Sequence, residues 1–224
     1  MPAFHMSTIF MSPSWFFGYD ILFELFYFII AIVISLYALK VYKTTGQKLA
    51  QYFGYGFLFV AAAYLIQSVS NYLVYSKLNS EVCQLANFSS VSIVDAIGTY
   101  AYILLMITGW VVLLFVSLKS DKSRTLWILL SVSIIAIMLS KNPMYVFYLL
   151  SSIYLAFIAW HFIENYLRNK QTMTLSVALA FIFLWFGTFH FLISVDHQLF
   201  YVIGHILEFL AYMMILINWY LVKK

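Results

Sequence analysis

Long apolar segments are the feature that most limits what this chain can fold into. They recur along most of the 224 residues, and most exceed the 18 or so residues that a helix needs to cross a hydrocarbon core of about 30 Å. Apolar residues make up 65% of the chain and charged residues only 9%, against roughly 25% charged in an average soluble domain. The sequence therefore predicts an all-α integral membrane protein with the lipid bilayer as its solvent.

The breaks between the apolar segments predict seven transmembrane helices, with each boundary placed to within about four residues. Because the connections are short except for residues 76–91, which leave no room for a second domain, the helices are expected to form a single membrane domain over residues 1–224. Pro143 suits the first position of the fifth helix, where its missing N–H costs nothing. The predicted helices are Ile21–Tyr42, Leu49–Tyr75, Ser92–Leu118, Thr125–Ser140, Pro143–Leu167, Met173–Ile193 and Gln198–Val222.

Basic residues in the short connections predict the orientation, because cytoplasmic loops carry an excess of Lys and Arg. With seven crossings, ten of the 12 basic residues fall on one side, leaving only Lys77 and Lys141 on the other. The N-terminus is therefore expected outside and the C-terminus in the cytoplasm, in the simplest case across the cell membrane. The ten residues are Lys40, Lys43, Lys48, Lys119, Lys122, Arg124, Arg168, Lys170, Lys223 and Lys224.

The charge distribution and the cysteine count exclude several classes of function. Although the net charge is +4 and the pI about 9.0, the basic residues are scattered in short groups, so we expect no nucleic-acid partner. The single cysteine, Cys83, excludes an intrachain disulfide and a Cys-rich metal site.

Polar residues lie on one face of the predicted seventh helix. Tyr201, His205, Glu208 and Tyr212 are separated by four, three and four positions, which is the spacing of one helical stripe. A carboxylate facing lipid near the bilayer centre would cost at least about 2.5–3.5 kcal/mol. We therefore expect this stripe to face the interior of the bundle.

Other helices carry polar residues at overlapping depths near the outer side, which predicts a polar cavity there. These residues are Asp20, Glu24 and Tyr27 on helix one, Tyr64, Gln67, Ser68 and Asn71 on helix two, and Asp95, Thr99, Tyr102 and Met106 on helix three. The predicted ligand or proton site consists of Glu24, Asn71, Asp95, Tyr102, His190, Tyr201, His205 and Glu208.

The residue types in this cavity leave several functions open. It can serve as the ligand or proton site of a receptor or a small-solute transporter, or its hydrogen bonds can hold together a structural subunit of a larger complex. His190, His205 and Glu208 can also ligate zinc, copper or iron, and two histidines can ligate haem. A metal there would make a metal-dependent membrane hydrolase an alternative. Seven-helix metal-dependent lipid hydrolases carry His-x-x-x-His, whereas this chain has His205-Ile-Leu-Glu208, so a non-enzymatic role is favoured.

The order of short-looped helices and the final-helix string Tyr201-Val-Ile-Gly204-His205-Ile-Leu-Glu208-Phe-Leu-Ala-Tyr212 resemble the seven-helix membrane sensor regions of microbial histidine kinases. The resemblance implies an outer cavity that senses a small molecule. No kinase domain follows within the 224 residues. We therefore expect the signal to pass to a separate protein partner through the basic cytoplasmic loops.

Overall fold

Seven α-helices make up nearly all of the chain that the computed structural model describes, and the described ranges contain no strand. Every helix begins and ends within four residues of its predicted bounds, so the predicted all-α fold is confirmed. The described residues are 12–13, 15–16, 18–79, 88–119, 122–194 and 197–223. The helices are α1 (Tyr19–Thr45), α2 (Lys48–Asn79), α3 (Phe88–Ser117), α4 (Ser123–Met138), α5 (Pro143–Asn169), α6 (Thr172–Ile193) and α7 (Gln198–Lys223).

Six of these helices, all except α4, are long and apolar enough to cross a membrane. The chain is therefore a multi-pass membrane protein. The remaining helix, α4, has 16 residues and is about 24 Å long at 1.5 Å per residue. It is shorter than the hydrocarbon core of roughly 30 Å.

The six long helices pack as a closed ring in the order α1, α2, α3, α5, α6, α7 and back to α1. The short helix α4 lies outside the ring against α3 and α5. It packs through a narrow face, where the hydroxyls of Ser133 and Tyr154 lie 2.7 Å apart. Its opposite face is apolar and exposed, with Trp127 and Val132 each at least 60% accessible. That face has the composition that contact with lipid requires.

The helices α3 and α5 run in the same direction. The ring of Tyr102, in the middle of α3, packs on Phe147 near the start of α5 with the centroids 5.5 Å apart. Further along both helices, Lys119, just beyond α3, lies close enough to His161 of α5 to interact with it electrostatically. The helix between them, α4, must therefore return the chain along the length of the bundle.

The turn between α4 and α5 is built as the sequence predicts. Pro143 is the first residue of α5, a position where its missing N–H and fixed φ fit the helix. The side chain of Asn142 caps the helix by accepting a hydrogen bond of 3.2 Å from the backbone N–H of Tyr145. This cap satisfies one of the free N–H groups at the helix start.

Small residues bring the backbones of neighbouring helices together. A Cβ on Gly109 of α3 would lie 2.7 Å from Cγ2 of Val60 and 3.0 Å from the carbonyl oxygen of Gly56. Between α1 and α2, the hydroxyl of Ser35 donates a 2.8 Å hydrogen bond to the carbonyl of Gly54. Close approach of this kind is how helices associate in a bilayer, where neighbouring helices gain little from the hydrophobic effect.

The course of α4 predicts that its two ends lie on opposite sides of the membrane. Cys83 is the only cysteine, so single cysteines can be introduced into a Cys83→Ser background. We expect Lys122→Cys and Lys141→Cys to react with an impermeant maleimide from opposite sides, with Lys141→Cys labelled from outside. Lys170→Cys is the control and should behave like Lys122→Cys. Labelling of both α4 ends from one side would show that α4 does not cross.

Candidate functional site

A small cavity lies inside the ring of long helices, and all six of those helices contribute to its lining. Its volume of about 20 Å³ is close to the space that one water molecule needs, about 10–15 Å³. Carboxylates, phenol rings and an imidazole dominate the lining. The lining residues are Glu24 on α1, Tyr64 and Gln67 on α2, Tyr102 on α3, Tyr148 on α5, Phe191 on α6, and Tyr201, His205 and Glu208 on α7.

The structure brings most of the predicted site residues together at this cavity. Five of the eight line it, namely Glu24, Tyr102, Tyr201, His205 and Glu208. A sixth, Asn71, lies behind the lining and donates hydrogen bonds of 2.9 and 3.1 Å to the two carboxylate oxygens of Glu24. The polar stripe of α7 faces inward as its spacing indicates.

Two predicted residues are not part of the described cavity. His190 lies outside it, with Nδ1 2.7 Å from the carbonyl oxygen of Phe186 one turn earlier in α6 and its ring against Phe200. Asp95 belongs to α3, but its side chain lies outside the described part of the structure.

The three predicted metal ligands are not assembled into a metal site. Among the described residues, no group of three or more His, Cys, Asp or Glu side chains is placed to hold a metal ion. His205 and Glu208 line the cavity while His190 does not. The structure therefore does not bring His190 to the same point as the other two, as a shared zinc, copper or iron ion would require.

No sequence pattern indicated two of the lining residues, Tyr148 and Phe191. They are two aromatic residues in a chain with 18 Tyr and 22 Phe, and no polar stripe on α5 or α6 marks them. Helical spacing from Gly187 and Thr188, which are buried, places Phe191 on the same inward face. That signal becomes visible only once the inward face of α6 is known.

Two carboxylates are buried in the cavity wall, and no described Lys or Arg side chain pairs with them. The side chains of Glu24 and Glu208 are 3% and 6% exposed. The amide of Asn71 donates to Glu24, and the hydroxyl of Tyr64 donates a 3.2 Å hydrogen bond to Oε2 of Glu208. Every Lys and Arg whose side chain the structure describes is at least partly exposed. Because two like charges in a low-dielectric interior are unfavourable, the cavity favours a positively charged occupant, a proton included.

The imidazole of His205 is buried at 4% exposure, and neither ring nitrogen has a hydrogen-bond partner within the described residues. Leaving a buried polar group unpaired is costly, and such groups are almost always paired in folded proteins. The imidazole can therefore form a hydrogen bond with an occupant of the cavity that it lines. Its aromatic neighbours, with centroids 4.6–6.3 Å away, are Phe16, Phe23, Tyr27, Phe191 and Tyr201.

Two glycines set the distance between α6 and α7 at the level of the cavity. A Cβ on Gly187 would lie 3.1 Å from Cγ of Glu208 and 3.1 Å from the carbonyl oxygen of Gly204. A Cβ on Gly204 would lie 2.7 Å from the ring of Phe191. These contacts allow Phe191 and Glu208 to share one small cavity.

Tyr27 joins α1 to α7 and so helps to close the ring of helices. Its side chain is fully buried, and its hydroxyl donates a 2.6 Å hydrogen bond to the backbone carbonyl of His205. Its ring stacks on Tyr212 with centroids 4.9 Å apart and lies 5.1 Å from that of Tyr64. The contact holds His205 at a fixed distance from α1.

The cavity is covered from the side where α1 begins. Phe16, which precedes α1, is 5% exposed, and its ring centroid lies 5.7 Å from that of His205. Asp20 is also buried and accepts backbone hydrogen bonds of 2.8 and 2.9 Å from Gly18 and Ile21. One turn deeper on the same helix lies Glu24, so carboxylates lead from this end of the bundle toward the cavity.

Comparison of the chain with protein-family models, with curated proteins and with solved structures found no match. Its class is defined by the fold and the site. It is a multi-pass α-helical membrane protein in which a ring of six long helices encloses an acidic, aromatic cavity of about the size of a water molecule.

The hydrogen bond between Tyr27 and the His205 carbonyl predicts a measurable loss of stability for Tyr27→Phe. Hydrogen bonds between membrane helices contribute about 0.6 kcal/mol on average and at most about 1.7 kcal/mol, so we expect a lower melting temperature in mild detergent. Tyr72→Phe is the control, because Tyr72 is 59% exposed. Equal melting temperatures for the two variants would show that the Tyr27 bond does not hold the ring closed.

Proposed function

We propose that this protein is a membrane receptor or sensor whose site is the central cavity and whose ligand is a proton or a small cation. The observation that supports the proposal is the burial of Glu24 and Glu208 in the wall of one cavity without a Lys or Arg partner among the described residues. Intramembrane carboxylates are rare and costly, and they mark ion or proton sites by default.

The position of the cavity between six helices is suited to sensing. Because six helices each contribute a lining side chain, an occupant contacts all of them at once. An occupant that fits one packing arrangement better than another shifts the population toward that arrangement. We propose the orientation indicated by the basic residues, which puts the cavity in the outer half of the bundle and the basic loops beside a cytoplasmic protein partner.

The opposite half of the bundle favours a receptor over a transporter. Beyond Glu208 the interior is filled by buried apolar side chains such as those of Phe57 and Leu113. Two buried hydroxyls in that half, those of Ser35 and Ser117, donate to backbone carbonyls. The hydroxyls of Ser151 and Tyr212 and the amide oxygen of Asn218 are also buried there, but no Asp or Glu among the described residues is buried between Glu208 and that end.

Transport is the second candidate, because Asp20 and Glu24 lead from one end of the bundle to Glu208. It predicts flux of protons or small cations into liposomes that is abolished by Glu208→Gln. A receptor predicts binding without flux.

Cation binding can be measured as a change in melting temperature at constant ionic strength. Lithium, sodium, potassium and ammonium chlorides are compared with choline chloride, whose cation is too large for the cavity. At a concentration 100 times Kd the stabilisation is about 2.7 kcal/mol, or roughly 5–10 °C at 2–4 °C per kcal/mol. We expect at least one small cation to raise the melting temperature of the wild type. If none does, we expect the infrared band of a carboxylic acid to show that the site binds a proton.

Variants assign the effect to the cavity. Glu208→Gln should lose most of the shift, and Glu164→Gln should keep it, because Glu164 lies at the other end of the bundle and pairs with Arg168. Proton binding is followed by the infrared band of a carboxylic acid, which Glu208→Gln should remove or shift. A wild type with neither a cation response nor a carboxylic-acid band sensitive to Glu208→Gln would overturn the proposal.

A further inference from the structure

We infer that the cavity selects a nitrogen cation that donates N–H hydrogen bonds, either the ammonium ion or the terminal ammonium group of a small primary amine. The inference rests on the proposed cation site and adds the chemical class of its ligand. Four properties of the lining carry it, namely charge, acceptor type, aromatic surface and size.

The charge and the acceptors together favour a nitrogen cation over an alkali ion. Glu24 and Glu208 supply negative charge, which any cation would meet. His205 adds a buried imidazole whose nitrogens have no partner among the described residues, and a neutral imidazole has one acceptor nitrogen. Hard cations take oxygen ligands, so an alkali ion leaves that nitrogen unused. An ammonium group donates to the imidazole nitrogen and to the carboxylates together.

Transition metals, which do take imidazole, would need more ligands than the cavity offers. Within the ranges that the structure describes, no three His, Cys, Asp or Glu side chains are arranged around one point. An ammonium group has no such requirement, because each N–H needs only an acceptor or an aromatic face.

The rest of the lining is aromatic. The rings of Tyr102, Tyr148, Phe191 and Tyr201 face the same cavity as the carboxylates. Aromatic faces attract ammonium groups through the ring quadrupole, and cages of such rings are a recurring solution for binding nitrogen cations. These ring faces suit an ammonium group, whereas a metal ion could use only the phenol oxygens of the tyrosines.

The volume limits the ligand further. About 20 Å³ is the space of roughly one water molecule, and an ammonium ion is of similar size. A quaternary ammonium group, which also lacks N–H donors, does not fit. Methylammonium keeps three N–H donors but adds a methyl group, so its binding distinguishes a terminal amine group from the free ion.

The test compares cations of equal charge on the purified wild-type protein in detergent at pH 7 and constant ionic strength. Ammonium, methylammonium, potassium and tetramethylammonium chlorides are titrated and the melting temperature is recorded. We expect ammonium to bind at least about tenfold more tightly than potassium, the factor that a charged hydrogen bond supplies, and tetramethylammonium to have no effect. Stronger binding of methylammonium than of ammonium would identify an amine as the source of the group.

His205→Phe tests the acceptor directly, because it keeps an aromatic ring at this position and removes both nitrogens. The variant should lose the preference for ammonium over potassium, and His161→Phe, at the other end of the bundle, should retain it. If potassium and ammonium bind the wild type equally, the inference fails while the proposed cation site stands. If no cation shifts the wild type and only the carboxylic-acid band responds to Glu208→Gln, the site takes a proton and the inference again fails. The ion series on the wild type decides the question even if His205→Phe does not fold.

Discussion

Two carboxylates, Glu24 and Glu208, are held inside a bundle whose outer surface is apolar, and the arrangement around them reflects what that burial costs. Amide and phenol donors, from Asn71 and Tyr64, solvate part of each carboxylate. Neutral donors compensate only partly for the lost hydration of a carboxylate. Either protonation of the carboxyl groups or a cation in the cavity would supply the remaining compensation, and the proposed function rests on this requirement.

Holding these groups together depends on how closely the helices approach. Gly187 of α6 and Gly204 of α7 have no side chains that would hold the two helices apart. Tyr27 links α1 to the backbone of α7 through its hydrogen bond to the His205 carbonyl. A cavity of about 20 Å³ has room for roughly one water molecule, so small shifts of a helix would change what it can hold. The precision of the site therefore comes from the backbone contacts and not from its polar residues alone.

The sequence was sufficient to predict the helices and much of the candidate site, because both depend on local periodicity. Length and apolar content identify a span, and a spacing of three or four places Tyr201, His205 and Glu208 on one face. His190 shows the limit of this reasoning. The inward face of α6 carries Gly187, Thr188 and Phe191, and the rotation of about 100° per residue turns His190 away from the cavity. Which face of α6 points inward is decided by packing against α5 and α7, and spacing within α6 cannot supply it. The position of α4 outside the ring is also decided by packing, because its sequence alone looks like that of one more apolar helix.

The two ends of the bundle differ in a way that constrains how any signal could cross it. Near the start of α1 the interior is polar and acidic, whereas beyond Glu208 it is filled with apolar side chains such as Phe57 and Leu113. Buried apolar side chains separate the cavity from that end, with the hydroxyls of Ser151 and Tyr212 as polar exceptions. In the proposed sensor, the binding energy of a cation would act on the packing of the helices. Tightly packed interiors do not deform continuously but change between discrete arrangements. A ligand that neutralises Glu24 and Glu208 would favour the arrangement in which they lie close together. Moving α1 and α7 relative to each other would carry that preference to the opposite end of the bundle, where the basic residues of the connecting segments lie.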